Sequence, residues 1–152
     1  MIIWFTGQPG SGKTTLAKEF ISHTELPNLV HIDGDDLRDL MDNKDYSYMG
    51  RVTNIKLAQS LALFMESKGF IPVVSLVSPY RTQREELKSK TNVLEIYLHT
   101  DEIRGREDYF VNSYIEPVDN FLDLDTGKLT IEDCIDEILN VYRSMVNKWN
   151  KN

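Results

Sequence analysis

A glycine-rich segment near the start of the chain, GQPGSGKTTLA at residues 7–17, constrains the fold more than any other feature. Two glycines, a lysine and a threonine have the GxxxxGK(S/T) spacing, in which backbone N–H groups surround a phosphate. The segment IIWFT before it predicts a buried strand, and apolar residues at helical spacing after it predict a helix over residues 13–22. This order favours a phosphate-binding loop over a glycine-rich turn that happens to contain a lysine.

Residue types within this loop fit the phosphates and the metal of a nucleotide. The backbone N–H groups of Gly10–Thr14 are expected to point at a phosphate, and the helix N-terminus adds partial positive charge. Lys13 is expected to reach the β- and γ-phosphates, and the Thr14 hydroxyl is expected to ligate Mg²⁺. The loop therefore predicts a nucleotide site.

Size and charge limit the partners of the chain. Its 152 residues predict one domain over 1–152, and its net charge of −7 argues against nonspecific binding to nucleic acid or anionic membrane. With no charged leader and no apolar run of transmembrane length, the expected compartment is the cytoplasm. The one cysteine, Cys134, lies in a helical apolar stripe and is expected in the core, and the three histidines have no metal-ligand spacing.

Apolar runs of strand length alternate with helical patterns along the chain. The predicted strands are Ile2–Phe5, Leu29–Ile32, Ile71–Val77, Val93–Leu98 and Phe121–Leu124. The predicted helices cover residues 13–22, 35–41, 51–68, 80–89 and 130–149, the last opening with Thr130 and Asp133 at capping-box spacing. This alternation predicts the three-layer α/β fold of P-loop NTPases, a central, mainly parallel five-stranded sheet with helices on both faces.

The second predicted strand leads directly into an acidic segment, HIDGDDLRDL at residues 31–40. Because ligands collect at the carboxyl ends of parallel strands, Asp33, Asp35 and Asp36 are expected to face the phosphates, and Asp33 and Asp35 suit the catalytic roles. Phosphoryl transfer needs a carboxylate that orients the acceptor hydroxyl or takes its proton, and carboxylates that hold the waters of the metal. Aspartates at a helix start, Asp36 among them, also cap free N–H groups, so one can cap while another works.

Further polar residues follow the predicted strands. Arg38, Arg51 and Asn54 suit an anionic acceptor such as phosphate or sulfate, although each taken singly is more often a solvated surface residue. Ser78 follows the third strand, with Tyr80 soon after. The Ser78 hydroxyl is expected either to donate a hydrogen bond in the site or to cap the next helix.

The least regular segment covers residues 99–120 and is long for a loop in a compact domain. We predict that it forms a lid over the phosphates rather than an inert surface loop. Arg104 and Arg106 flank Gly105 and are expected to close onto phosphates, while Tyr109 or Phe110 stacks on a base. The alternative is an exposed turn in which the arginines pair with neighbouring glutamates.

Taken in order, these motifs resemble the adenylylsulfate kinase family: GxxGSGKTTLA, then DGDDLR, then Arg51 with NI at residues 54–55, then SPYR. The likeness covers residues 2–98 and resumes over residues 116–126. It implies a kinase that uses ATP to phosphorylate the 3′-hydroxyl of adenosine 5′-phosphosulfate. The chain departs from the family in its lid, where RGREDYFVNSY replaces a longer segment that helps hold the acceptor's adenine.

The resemblance also implies roles for the matching residues. Catalytic roles fall to Lys13, Asp33, Asp35 and Ser78, and Mg²⁺ is implied at Thr14 and Asp35. ATP binding is implied for Gly7, Gln8, Pro9, Gly10, Ser11, Gly12, Lys13, Thr14 and Thr15. Acceptor binding is implied for Arg38, Arg51, Asn54 and Ser78, and position adds Tyr80, Arg104 and Arg106. The family assigns the serine at the position of Ser78 as a phosphoserine intermediate, although direct in-line transfer needs no enzyme nucleophile.

Two other functions stay open at this point. One is a kinase of the same build that acts on another small anionic nucleotide, such as one made for surface-polysaccharide modification. The other is a noncatalytic nucleotide-binding switch, although a switch needs no base beside its phosphate loop. The expected partners are a small nucleotide substrate and, in a homodimer, a second copy of the chain.

Overall fold

A computed structural model of the chain describes residues 1–149, which contain five β-strands and five α-helices. The strands are β1 (Ile2–Thr6), β2 (Leu29–Asp33), β3 (Ile71–Ser75), β4 (Val93–His99) and β5 (Phe121–Asp125). The α-helices are α1 (Lys13–His23), α2 (Gly34–Leu40), α3 (Tyr48–Ser67), α4 (Arg81–Lys88) and α5 (Ile131–Trp149). A short 3₁₀ helix covers Glu107–Tyr109.

All five strands are parallel and lie in the order β2-β3-β1-β4-β5. The predicted fold class and each predicted strand are confirmed. Four strands end one residue later than predicted, and the strand predicted over Ile71–Val77 ends two residues earlier, at Ser75, after which the chain turns away before α4 begins.

Strand β1 is buried along its whole length because it lies at the centre of a sheet covered on both faces. Successive side chains of a strand point to opposite faces, so Ile3 and Phe5 enter one core while Ile2 and Trp4 enter the other. The first core includes Leu16, Phe20, Cys134 and Ile138 from α1 and α5, and the second includes Leu37, Ile55 and Leu87 from α2, α3 and α4. The expected burial of Cys134 is confirmed.

The helix starts follow from side-chain caps. The Oγ atom of Ser47 accepts the N–H of Gly50 at 3.3 Å, so α3 begins at Tyr48, three residues before the predicted start. The predicted capping box is confirmed, because Thr130 and Asp133 exchange two bonds of 3.1 Å between side chain and backbone N–H. No helix among residues 1–149 is long and apolar enough to cross a membrane.

Register places the polar strand ends at one edge of the sheet. Ser75 of β3 lies beside Phe5 of β1 and beside Asp33 of β2. The glycine-rich loop, residues 7–14, leaves β1 at this edge and enters α1. The loop and the acidic segment therefore meet where parallel sheets collect ligands.

Candidate active site

Two glycines fix the path of the loop. Gly7 has φ of 151°, and a Cβ there would lie 2.3 Å from the carbonyl oxygen of Leu98, so only glycine fits. Gly12 has φ of 101° and is the N-cap of α1 without a side-chain hydrogen bond. The first-turn N–H groups of α1 thus have no capping side chain and are free for an anion.

Lys13 is buried at the base of the loop. Its Nζ donates to the carbonyl oxygen of Gln8 at 2.8 Å and to Ser11 Oγ at 3.4 Å. Burial lowers the pKa of Lys13 to about 8, and the nearby carboxylates of Asp35 and Asp33 only partly oppose that shift. The ammonium group is therefore a poorly solvated cation that a phosphate would stabilise.

Asp33 joins the loop to the sheet. Its Oδ1 accepts the backbone N–H of Asp35 at 2.9 Å and caps α2, and its Oδ2 accepts the hydroxyls of Thr14 and Ser75, each at 2.8 Å. Burial alone would raise the pKa of Asp33, but these hydrogen bonds outweigh it and the pKa is lowered. Asp33 thus both caps α2 and contacts Thr14 of the phosphate loop.

The other two aspartates differ in placement. Asp35 is exposed and lines the cavity described below, whereas Asp36 is exposed and lies outside its wall. Asp35 therefore keeps a place in the candidate site and Asp36 does not.

The Thr14 hydroxyl fits a magnesium ligand. Because its hydrogen points to Asp33, its lone pairs remain for a cation on the cavity side. Among residues 1–149 no group of three or more His, Cys, Asp or Glu side chains could hold a metal by itself. Such a site suits Mg²⁺, which protein kinases and ATPases bind through one or two protein ligands, waters and the substrate phosphates.

A cavity of about 1020 Å³ opens between the loop and helices α2 and α3. This volume is at the upper end for small-molecule sites and suits two substrates side by side. Its wall contains fourteen of the predicted site residues, namely Pro9, Gly10, Gly12, Lys13, Thr14, Thr15, Asp33, Asp35, Arg38, Arg51, Asn54, Ser78, Arg104 and Arg106. Four predicted site residues, Gly7, Gln8, Ser11 and Tyr80, lie outside the wall.

Two of these four residues, Gln8 and Tyr80, support the site from outside its wall. Gln8 holds the backbone of Val111 through a donated bond of 2.9 Å and an accepted bond of 2.8 Å, so it clamps the loop to the segment over residues 99–120. Tyr80 is the N-cap of α4, and its ring centroid lies 4.8 Å from that of Tyr48. The structure thus brings Tyr80 to the neighbourhood of the site and not into its wall.

An aromatic ring in the cavity wall lies near both predicted acceptor-binding arginines. The guanidinium carbon of Arg38 is 4.0 Å from the ring centroid of Tyr46, and that of Arg51 is 5.6 Å away. Sequence reasoning missed Tyr46, although its place in the chain between two candidate anion-binding arginines was a usable signal. Since Tyr46 is 59% exposed, part of the ring remains open to a ligand.

Two buried polar atoms in the cavity wall have no hydrogen-bond partner among the described residues: Asn54 Oδ1 and Ser78 Oγ. Asn54 is 5% exposed and Ser78 is 1% exposed. Buried polar groups in native proteins are nearly always paired, so these two atoms are candidate partners for a ligand or a bound water. The helix-cap alternative for Ser78 is wrong, because the N-cap of α4 is Tyr80.

The backbone of Ser78 is held in the left-handed region, with φ of 47°. A non-glycine residue there costs about 1–3 kcal/mol and needs support from its surroundings. Arg84 gives that support: it is 2% exposed and donates to the carbonyl oxygen of Ser78 at 2.6 Å, to that of Ile115 at 2.5 Å and to Glu95 at 2.7 Å. A buried ion pair thus orients the Ser78 turn.

The two arginines after β4 have different environments. The Arg104 guanidinium donates to the carbonyl oxygen of Gly10 at 3.1 Å, to that of Thr126 at 2.8 Å and to Glu102 at 2.8 Å. Arg106 is exposed, lies 5.4 Å from the ring centroid of Tyr109, and helps to lower the pKa of Lys13. Arg104 therefore supports the loop backbone, whereas Arg106 is an exposed cation close enough to Lys13 to affect its charge.

Fold and site together define a nucleotide-binding domain of the P-loop NTPase class. The sequence model described as Adenylylsulphate kinase matches residues 1–108, more than half of the chain. The chain belongs to the adenylylsulfate kinase family, as its sequence motifs predicted.

Three similar proteins illustrate the relationship. An adenylyl-sulfate kinase of Buchnera aphidicola subsp. Schizaphis graminum is 36% identical over 106 residues, which cover 66% of this chain and 50% of that protein. The chain thus spans about half the length of this relative. A cytidine diphosphoramidate kinase of Campylobacter jejuni is 31% identical over 134 residues, covering 82% of this chain and 77% of its own. The structure of the Mycobacterium tuberculosis APS kinase CysC in complex with AMPPNP and APS has a TM-score of 0.77 at 19% identity, covering 93% of this chain and 96% of its own, and shows the same fold.

Proposed function

We propose that the protein transfers the γ-phosphoryl group of ATP to the 3′-hydroxyl of adenosine 5′-phosphosulfate. The observation that carries this proposal is the pair of unpartnered buried atoms, Asn54 Oδ1 and Ser78 Oγ, in residues that line the same cavity as the phosphate loop. A second substrate beside the nucleotide would supply the partners that these two atoms lack. Family membership supports the same activity.

On the donor side, the loop supplies the charge that phosphoryl transfer requires. The N–H groups at the start of α1 and the Lys13 ammonium would hold the β- and γ-phosphates, with Mg²⁺ held by the Thr14 hydroxyl and the phosphates. Bound magnesium neutralises charge that develops on the transferring group. Because Lys13 already lies in a poorly solvated place, its attraction to the phosphates would be strong.

On the acceptor side, the two arginines and Tyr46 would bind the nucleotide. In the described residues only Nη1 of Arg38 has hydrogen-bond partners, at the backbone oxygens of Asn43 and Asp45 and at the Asn43 side chain. The remaining N–H groups of Arg38 are available for an oxyanion such as the phosphosulfate. The exposed part of the Tyr46 ring offers a surface for the base.

The hydrogen bonds divide the work between the two aspartates. Asp33 already accepts three bonds and holds Thr14, so we assign it to the metal side in place of Asp35, to which the resemblance gave that role. Asp35 is exposed in the cavity, so we assign it to the acceptor hydroxyl. In the transfer, the hydroxyl oxygen bonds to the γ-phosphorus, the bond from that phosphorus to the β-phosphate oxygen breaks, ADP leaves, and the hydroxyl proton passes to Asp35.

A second acceptor is favoured by one relative. The Campylobacter protein is named a cytidine diphosphoramidate kinase and matches most of this chain. Both candidate acceptors are nucleotides with an anionic group beyond the first phosphate. The replaced lid, which in the resembled family helps hold adenine, is the feature that would permit a pyrimidine base.

Acceptor-dependent release of ADP from ATP tests the proposal. Purified protein with Mg²⁺ and ATP is assayed with adenosine 5′-phosphosulfate, with cytidine diphosphoramidate and without an acceptor. We expect turnover to rise most with adenosine 5′-phosphosulfate. Faster turnover with the cytidine nucleotide would make that nucleotide, and not adenosine 5′-phosphosulfate, the acceptor. No stimulation by either nucleotide would support a noncatalytic switch.

A further inference from the structure

We propose that His31 is a positioning residue that acts through Ser75 to fix the orientation of the Asp33 carboxylate. His31 and Asp33 are two residues apart on β2 and therefore lie on the same face of the sheet. Ser75 lies beside Asp33 in the neighbouring strand, and its Oγ is 2.8 Å from His31 Nε2. Through Asp33, the effect of His31 would reach the Thr14 hydroxyl.

Hydrogen-bond directions along this chain of groups follow from counting hydrogens. An ionised carboxylate only accepts, so the single hydroxyl hydrogen of Ser75 points to Asp33 Oδ2, 2.8 Å away. Toward His31, Ser75 can then only accept. His31 Nε2 must therefore carry a hydrogen and donate it.

This direction matters for the metal side of the site. The N–H of His31 holds the Ser75 hydroxyl in the rotamer that donates to Asp33, and that bond helps to orient the carboxylate. Asp33 Oδ2 in turn accepts the Thr14 hydrogen at 2.8 Å, which leaves the Thr14 lone pairs on the cavity side. If His31 is replaced, the Ser75 hydroxyl can rotate away from Asp33. The Asp33 carboxylate is then less fixed, and the Thr14 lone pairs point toward the cation position for a smaller fraction of the time.

Binding of an ATP analogue tests this role without any acceptor. Calorimetry with AMPPNP is carried out in Mg²⁺ and in EDTA, and the ratio of the two affinities defines the metal-dependent gain. We expect His31→Leu to reduce this gain about threefold to tenfold, the value of one hydrogen bond, with unchanged affinity in EDTA. His31→Gln, whose Nε2 can donate from nearly the same place, should recover the gain.

Three further variants separate positioning from general destabilisation. Ser75→Ala should lose a similar part of the gain, and adding His31→Leu to Ser75→Ala should cost nothing more, because the path is already broken. His23→Leu, at an exposed histidine of α1, should keep the full gain. If His31→Leu does not fold, His31→Asn replaces it, because its amide is too short to reach Ser75.

Two results would overturn the role of His31. One is additive loss in the double variant, and the other is an equal loss of affinity in EDTA and in Mg²⁺. A third result points elsewhere: failure of the wild-type protein to bind AMPPNP would refute the nucleotide site itself and the positioning role with it. Failure of the acceptor assay alone leaves this binding result intact, so the two proposals are tested separately.

Discussion

Replacing Lys13 by methionine should abolish phosphoryl transfer and yet make the folded protein more stable. Burial lowers the Lys13 pKa from 10.5 to about 8, so the folded state binds this proton less tightly than the unfolded chain. Below pH 8 both states are protonated, and the shift costs the fold about 3 kcal/mol. Between pH 8 and 10.5 the unfolded chain binds more protons, so the cost declines as pH rises, to about 1 kcal/mol at pH 9.5.

Lys13→Met removes this cost at every pH but also removes the hydrogen bond to Gln8, worth about 1 kcal/mol. The variant should thus exceed wild type by about 2 kcal/mol in free energy of unfolding at pH 7, and by about zero at pH 9.5. Urea titrations at the two pH values, with tryptophan fluorescence as the signal, measure the difference. The turnover of Lys13→Met should fall by at least about 10²-fold, because an electrostatic contact to the transferring group is lost.

Lys18→Met is the matched control, since Lys18 is an exposed lysine five residues further along α1. Its effect on the free energy of unfolding should be within about 0.5 kcal/mol of zero at both pH values. The reasoning is refuted if Lys13→Met is less stable than wild type at pH 7, or if its advantage does not shrink as pH rises. Near-normal turnover in a folded Lys13→Met protein would refute the phosphate-loop role.

Two pairs of variants test the other assignments. Asp33→Asn should weaken Mg²⁺-dependent ATP binding at least about tenfold in calorimetry, whereas Asp35→Asn should lower kcat about 10²-fold at nearly unchanged ATP affinity; the reverse pattern would exchange their roles. Arg104→Ala, which releases the Gly10 carbonyl, should lower both the melting temperature and ATP affinity. Arg106→Ala should lower kcat/KM about tenfold in steady-state assays with an unchanged melting temperature. Wild-type kinetics in this variant would show that Arg106 does not close onto the phosphates.

Local patterns in the sequence were sufficient for the fold and for the donor half of the site. The loop and its helix are contiguous, and the alternation of strands and helices determines a parallel sheet whose carboxyl ends collect Asp33 and the loop. The differences from the predicted elements are confined to their ends, such as the start of α3 after Ser47 and the end of β3 at Ser75. These ends were harder to predict because caps and turns depend on single side chains.

Features that depend on contacts between distant residues were not predictable in the same way. From the sequence, Arg104 is expected to be free to close onto phosphates. In the structure it is held by Thr126, 22 positions later, and by the backbone of the loop. His31 has no metal-ligand spacing and gave no signal, since its partner Ser75 lies 44 positions away on another strand. The unpartnered state of Ser78 Oγ likewise follows from a backbone conformation that Arg84 supports from outside the motif.

Analysis of the transferred phosphate tests the central claim most directly. The protein is incubated with ATP labelled in its γ-phosphoryl group and with adenosine 5′-phosphosulfate, and the product nucleotide is analysed by mass spectrometry and ³¹P NMR. The account predicts one labelled phosphate on the 3′-hydroxyl, formed by wild type and by Ser78→Ala, which retains direct transfer, and not by Lys13→Met. Label released only as free phosphate, or no label transferred by folded wild-type protein, would contradict it.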